Sequence, residues 1–91
     1  MINVQYTKHL LSKIRLRTLS KKLIEGTVIK PDYIFFDNLH KTLIAVKKLK
    51  TRCFMVAYDK VDETYHLITC HQIKEKQIEN RLKVRRWVRY D

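Results

Sequence analysis

The sequence predicts an α+β fold in one domain spanning residues 1–91. Two N-terminal helices pack on a three- to four-stranded antiparallel sheet, followed by a short C-terminal helix and a basic tail. Three observations carry this. The run Arg52-Cys53-Phe54-Met55-Val56-Ala57-Tyr58 is apolar, rich in strand-forming residues, bounded by charge and too short for a helix, so it reads as a buried central strand. The runs His40 to Lys48 and Thr64 to Cys70 flank it closely enough to pair by hairpins. Ahead of them, apolar residues recur at helical rather than strand spacing.

In chain order, Tyr6 to Arg17 is the first helix: Tyr6, Leu10 and Ile14 form an apolar stripe, and Thr7 serves as N-cap. His9, Lys13 and Arg17, also four apart, form a second, basic stripe, which is either a solvated face or a ligand-binding one. Ser20 caps a second helix from Lys21 to about Ile29, with Leu23, Ile24, Val28 and Ile29 inward, and Pro31 stops it. Tyr33 to Phe36 is a strand and Asp37-Asn38 a turn. Sequential antiparallel pairing then gives up to four strands, with basic residues between Lys47 and Arg52 in a loop. Ile73 to Leu82 shows helical spacing. The tail from Arg81 to Arg89 interleaves Arg81, Lys83, Arg85, Arg86 and Arg89 with Val84, Trp87 and Val88. That alternation suits nucleic acid, with arginines on phosphates and Trp87 stacked on unpaired bases. It equally suits an edge strand whose Trp87 packs on the core.

Composition narrows the function. Twenty Lys and Arg oppose nine Asp and Glu, a formal charge of +11. Such an excess points to a polyanionic partner, most simply nucleic acid, although charge can also serve solubility or docking on an acidic protein. No apolar run approaches the roughly 18 residues of a membrane span, and Met1 to Lys8 carries no signal-peptide stretch. A cytoplasmic protein without membrane contact is therefore expected. Cys53 and Cys70 are expected to remain reduced. Carboxylates are few and scattered, no Cys/His cluster suggests a metal, and no phosphate- or dinucleotide-binding glycine motif implies a cofactor. The remaining chemistry is that of His, Lys, Arg and Tyr, a set that can cleave RNA without metal. His66, His71, Tyr58, Arg52 and Lys47 fall at strands or strand ends and are candidates.

The stretch His9-x3-Lys13-x3-Arg17-x-Leu19-Ser20, a helix, Pro31-Asp32 and a late strand ending Leu67-Ile68-Thr69 resembles a prokaryotic family of small domains. That family is related to the BrnT toxins and, more distantly, to the RelE/ParE toxin superfamily. The resemblance covers residues 6 to 71; Lys13 stands where Arg is usual, and Thr18 where Gly is usual. It implies two N-terminal helices on a small antiparallel sheet, and a toxin-like role in a toxin–antitoxin system with RNA as target and an antitoxin as partner. The expected activity is a metal-independent endoribonuclease, a hydrolase of the mRNA interferase kind. The alternatives are a noncatalytic RNA- or DNA-binding module, or a ParE-like toxin acting on a protein. The expected catalytic residues are His9, Arg17 and His71. His9 and Arg17 share a helix face, and His71 follows the last core strand. Lys13, Lys47, Arg52, Arg81, Arg85, Arg86, Arg89 and Trp87 are the expected nucleic-acid contacts.

Overall fold

A computed structural model describes residues 3–90. The elements are β1 (Asn3–Tyr6), α1 (Lys8–Arg17), α2 (Lys21–Ile29), β2 (Tyr33–Asp37), β3 (Thr42–Lys48), β4 (Cys53–Val61), β5 (Thr64–Ile73), α3 (Glu75–Lys83) and β6 (Trp87–Arg89). All six strands form one sheet, ordered β1-β5-β4-β3-β2-β6.

The fold is α+β, and its middle is the expected sequential meander from β2 to β5. The sheet is nevertheless six-stranded and mixed, not antiparallel with three or four strands. β1 lies parallel to β5, pairing Asn3 with Thr64 and Tyr6 with Leu67. β6 lies antiparallel to β2, pairing Asp37 with Trp87 and Phe35 with Arg89. Each added strand is too short to establish a period of its own. Tyr6 also fits the helical stripe but ends β1, and Ile73 fits the last helix but ends β5. Part of the basic tail is thus an edge strand.

The helix ends follow local chemistry. Thr7 Oγ1 accepts the Leu10 N–H at 3.2 Å and donates to the Ile68 carbonyl at 3.1 Å, which ties the start of α1 to β5. Ser20 Oγ caps α2 by accepting the Leu23 N–H at 3.2 Å. α1 ends at Thr18, whose φ of 52° is left-handed. Lys41, Asp62 and Arg85 also have positive φ, whereas the single glycine, Gly26, lies inside α2.

Apolar residues cover both faces of the sheet. Leu10, Ile24 and Val28 of α1 and α2 pack on Phe54, Val56, Leu67 and Cys70. On the other face, Ile78 of α3 and Trp87 pack on Phe35, Ile44, Cys53 and Met55. Alternate residues of β4 therefore enter opposite cores, which is why its sequence is a continuous apolar run rather than an alternating one. Cys53 and Cys70 are free and buried on opposite faces. The ladder between β4 and β5 shifts register after the pair Ala57–Thr69, so that Tyr58 faces Leu67 and Ile68 is the extra residue of a bulge. Among the described residues, no helix is long and apolar enough to cross a membrane.

Candidate functional site

β1 pairs with β5 only as far as Leu67, and the remainder of that edge lies against α1. Here Lys13 Nζ donates to the Cys70 carbonyl at 2.5 Å and reaches Thr69 Oγ1 at 3.4 Å. Its helix turn is thereby fastened to the strand, and Arg17, one turn on, comes beside His71. Arg81 approaches from α3. Burial, together with the charges of Lys13, Arg81 and Arg17, holds the His71 pKa below its ordinary value. The imidazole is thus kept neutral at neutral pH, in surroundings that attract an anion.

His71 also borders a cleft of about 210 Å³ on the α3 face. Ile44, Met55 and Ala57 form its apolar floor, and the bulge turns Ile68 and Thr69 into one wall. The opposite wall holds Asp37, His40, Arg86 and Trp87, and Arg81 completes the lining. Asp37, only 3% exposed, organises that wall. Its Oδ1 accepts the Leu39 and His40 backbone N–H groups at 2.8 and 3.1 Å. Its Oδ2 lies 3.1 Å from His40 Nδ1, accepts Trp87 Nε1–H at 3.3 Å and sits 3.8 Å from the Arg86 guanidinium. Burial alone would raise the Asp37 pKa, but hydrogen bonds from His40, Leu39 and Trp87 outweigh it and hold the carboxyl below its usual range. A fixed carboxylate on Nδ1 orients His40 and leaves Nε2 for exchange with a ligand.

The guanidinium groups are less completely paired. Arg81 lies 5.0 Å over the Trp87 ring, and its Nη1 is buried with no hydrogen-bond partner among the described residues, as is Arg86 Nε. Burial and the neighbouring Arg86 lower the Arg81 pKa, while Asp37 opposes them. Two arginines with unpaired nitrogens at an apolar-floored cleft are suited to a phosphate group.

Arg17, Lys13 and Arg81 therefore surround His71, with Arg86 across the cleft, whereas other expected site residues lie elsewhere. His9 is exposed on α1 and borders a groove with Lys13 and Arg17 that does not include His71. Lys47 donates to the Lys30 carbonyl at 3.2 Å, beyond the end of α2. Arg52 is exposed and holds Gln72 Oε1 at 2.5 Å. Arg85 is a left-handed turn residue whose carbonyl accepts from Asn38 Nδ2, and Arg89 lies 5.8 Å over Tyr33. Trp87 corrects the expectation of base stacking: it is 2% exposed and packs against Phe35, so its indole is part of the core. Tyr58 is likewise a core residue, with its phenol pKa pushed up by burial to about 12. Asp37 and His40 were not among the expected site residues. The available signal was the spacing Asp37-x-x-His40 across a tight turn between strands. In comparisons with known proteins, no family model, no curated protein and no solved structure matched the chain.

Proposed function

We propose that this chain is a metal-independent endoribonuclease with the toxin-like role implied by its resemblance to the BrnT and RelE/ParE proteins, and that it cleaves RNA in the cleft between His40 and His71. One observation carries the proposal: two imidazoles on opposite walls of a single cleft that two incompletely paired guanidinium groups also line. Neutral His71 accepts the proton of a ribose 2′-OH, and the 2′-oxygen attacks the adjacent phosphorus. Arg81 and Arg86 stabilise the charge gathered on the phosphoryl oxygens. His40, held through Nδ1 by Asp37, donates a proton from Nε2 to the departing 5′-oxygen. The P–O5′ bond breaks, leaving a 2′,3′-cyclic phosphate and a free 5′-hydroxyl. Lys13 and Arg17 guide the backbone past His71, and an antitoxin would silence the protein by covering this basic corner.

The test is cleavage of a single-stranded RNA in EDTA, with binding measured separately. His71→Gln and His40→Gln should each lower the rate by about 10²–10⁴, while His9→Ala stays within about tenfold of wild type. A 2′-deoxy residue at the cleaved position should block the reaction. Binding without cleavage by the wild-type protein would replace this proposal with a noncatalytic nucleic-acid module. Binding to neither RNA nor DNA at low salt would leave a protein target.

A further inference from the structure

His71 has a second side. Between α1, α2 and the end of β5 lies a cavity of about 430 Å³ that His71 borders together with Lys13, Arg17 and Gln72. Its base is apolar, formed by Leu19, Leu23 and Phe54. No carboxylate among the described residues lines it, and Lys13, Arg17, Ser20 and Gln72 present donors. Gln72 Oε1 is occupied by the Arg52 guanidinium at 2.5 Å, so the amide NH2 is the end left for a ligand. Lys13 spends two of its three protons on Cys70 and Thr69 and keeps one. Arg17 has only donors, and Ser20 Oγ already accepts from Leu23 N–H, which leaves its own hydroxyl proton to give.

We infer that this cavity is a subsite for a carbonyl-bearing nucleobase, uracil or guanine, of the strand held at His71. The inference rests on the proposed ribonuclease function and names the base that function would select. A flat ring would lie on the apolar base, and its carbonyl oxygens would meet the donor rim. Adenine presents an exocyclic amino group where this rim offers further donors, and two facing donors leave both unpaired. The cationic rim also matches the phosphate attached to the base, and His71 lines both the cavity and the cleft.

The test uses nucleoside 3′-monophosphates, which require no cleavage, titrated against the full chain and followed through the amide signals of Leu23 and Gln72. Uridine and guanosine 3′-monophosphates should bind about tenfold or more tightly than adenosine 3′-monophosphate, the scale of one or two good hydrogen bonds. Gln72→Glu, which turns a donor into an acceptor at the exposed edge, should cut that preference to within about threefold. Lys60→Ala, on β4 beside Tyr65 and outside the cavity, should leave it unchanged. Equal binding of the uridine and adenosine compounds, no binding of any at millimolar concentration, or a preference that survives Gln72→Glu would each overturn the subsite. Its failure is separable from that of the ribonuclease proposal: selective binding without RNA cleavage strikes only the latter, and cleavage without base preference strikes only the subsite.

Discussion

Replacing Asp37 with asparagine tests the wall of the cleft that holds His40. Asparagine is nearly isosteric and keeps an oxygen for the Leu39 and His40 backbone N–H groups. Its amide NH2 then occupies the place of Oδ2, where Trp87 Nε1–H at 3.3 Å already donates and His40 Nδ1 lies at 3.1 Å. The change sets a donor against the indole N–H and removes the counter-charge of Arg86, 3.8 Å away. His40 and Arg86 both reach solvent, so the loss is that of hydrogen bonds to a charged acceptor, about 1.5–3 kcal/mol. That is a sizeable part of the roughly 5–14 kcal/mol expected for a chain of this length, and it should lower Tm by about 6 °C or more. Urea unfolding at pH 7 measures the loss, with circular dichroism beside the fluorescence of Trp87, the only tryptophan. The pH dependence has a definite sign. The folded pKa of Asp37 is depressed, so its stabilisation is complete above the unfolded value near 3.9 and is lost as pH falls through the folded value. The gap between wild type and Asp37→Asn should therefore narrow below about pH 4. A gap under about 1 kcal/mol at pH 7, or one constant from pH 7 to about pH 3, would refute this account of Asp37.

The same electrostatics bear on the proposed RNA cleavage. Because His71 titrates below its ordinary value of about 6.5, the ascending limb of kcat/KM against pH should lie below that value, and Lys13→Gln should move it upward by removing a cation; a limb that stays put in the variant would contradict the assignment. Moving the glycine should stabilise the chain. A Cβ at Gly26 meets nothing within 4 Å, and Thr18 occupies a left-handed position, so Gly26→Ala and Thr18→Gly should each add about 0.5–1 kcal/mol in urea titrations. RNA binding should weaken with salt: about six phosphate contacts on a single strand give a slope near −4 in log K against log salt, and a slope near zero would remove the polyanion from the functional reading.

The meander was legible because its strands are neighbours in sequence and the burial of β4 on both faces leaves a continuous apolar run. β1 was not, because its partner Thr64 lies far along the chain and four residues carry too weak a period. In the site, the basic stripe of α1 was readable as a stripe, but its spacing could not show that Lys13 and Arg17 reach His71 while His9 lies apart. That division depends on where the helix crosses β5. Trp87 was ambiguous for a related reason: alternating basic and apolar residues describe an edge strand and a nucleic-acid arm equally well, and only its pairing with Asp37 separates them. Asp37 and His40 were hidden by being turn residues, whose side chains local sequence explains without any cleft.

The two-sided burial of β4 bears on how the chain comes apart. Cys53, Met55 and Ala57 belong to one half of the interior and Phe54, Val56 and Tyr58 to the other, so neither half has a boundary along which it can separate. Loss of α3 and β6 would uncover one side of the strand that supports α1 and α2. Opening should then be all-or-none through the centre and local only at the outer strands, with the amides of Met55 and Val56 exchanging with solvent no faster than global unfolding permits. The cleft would inherit that cooperativity: His40 hangs from the turn after β2 and His71 from β5, so the two imidazoles hold their separation only while the strands between them are intact.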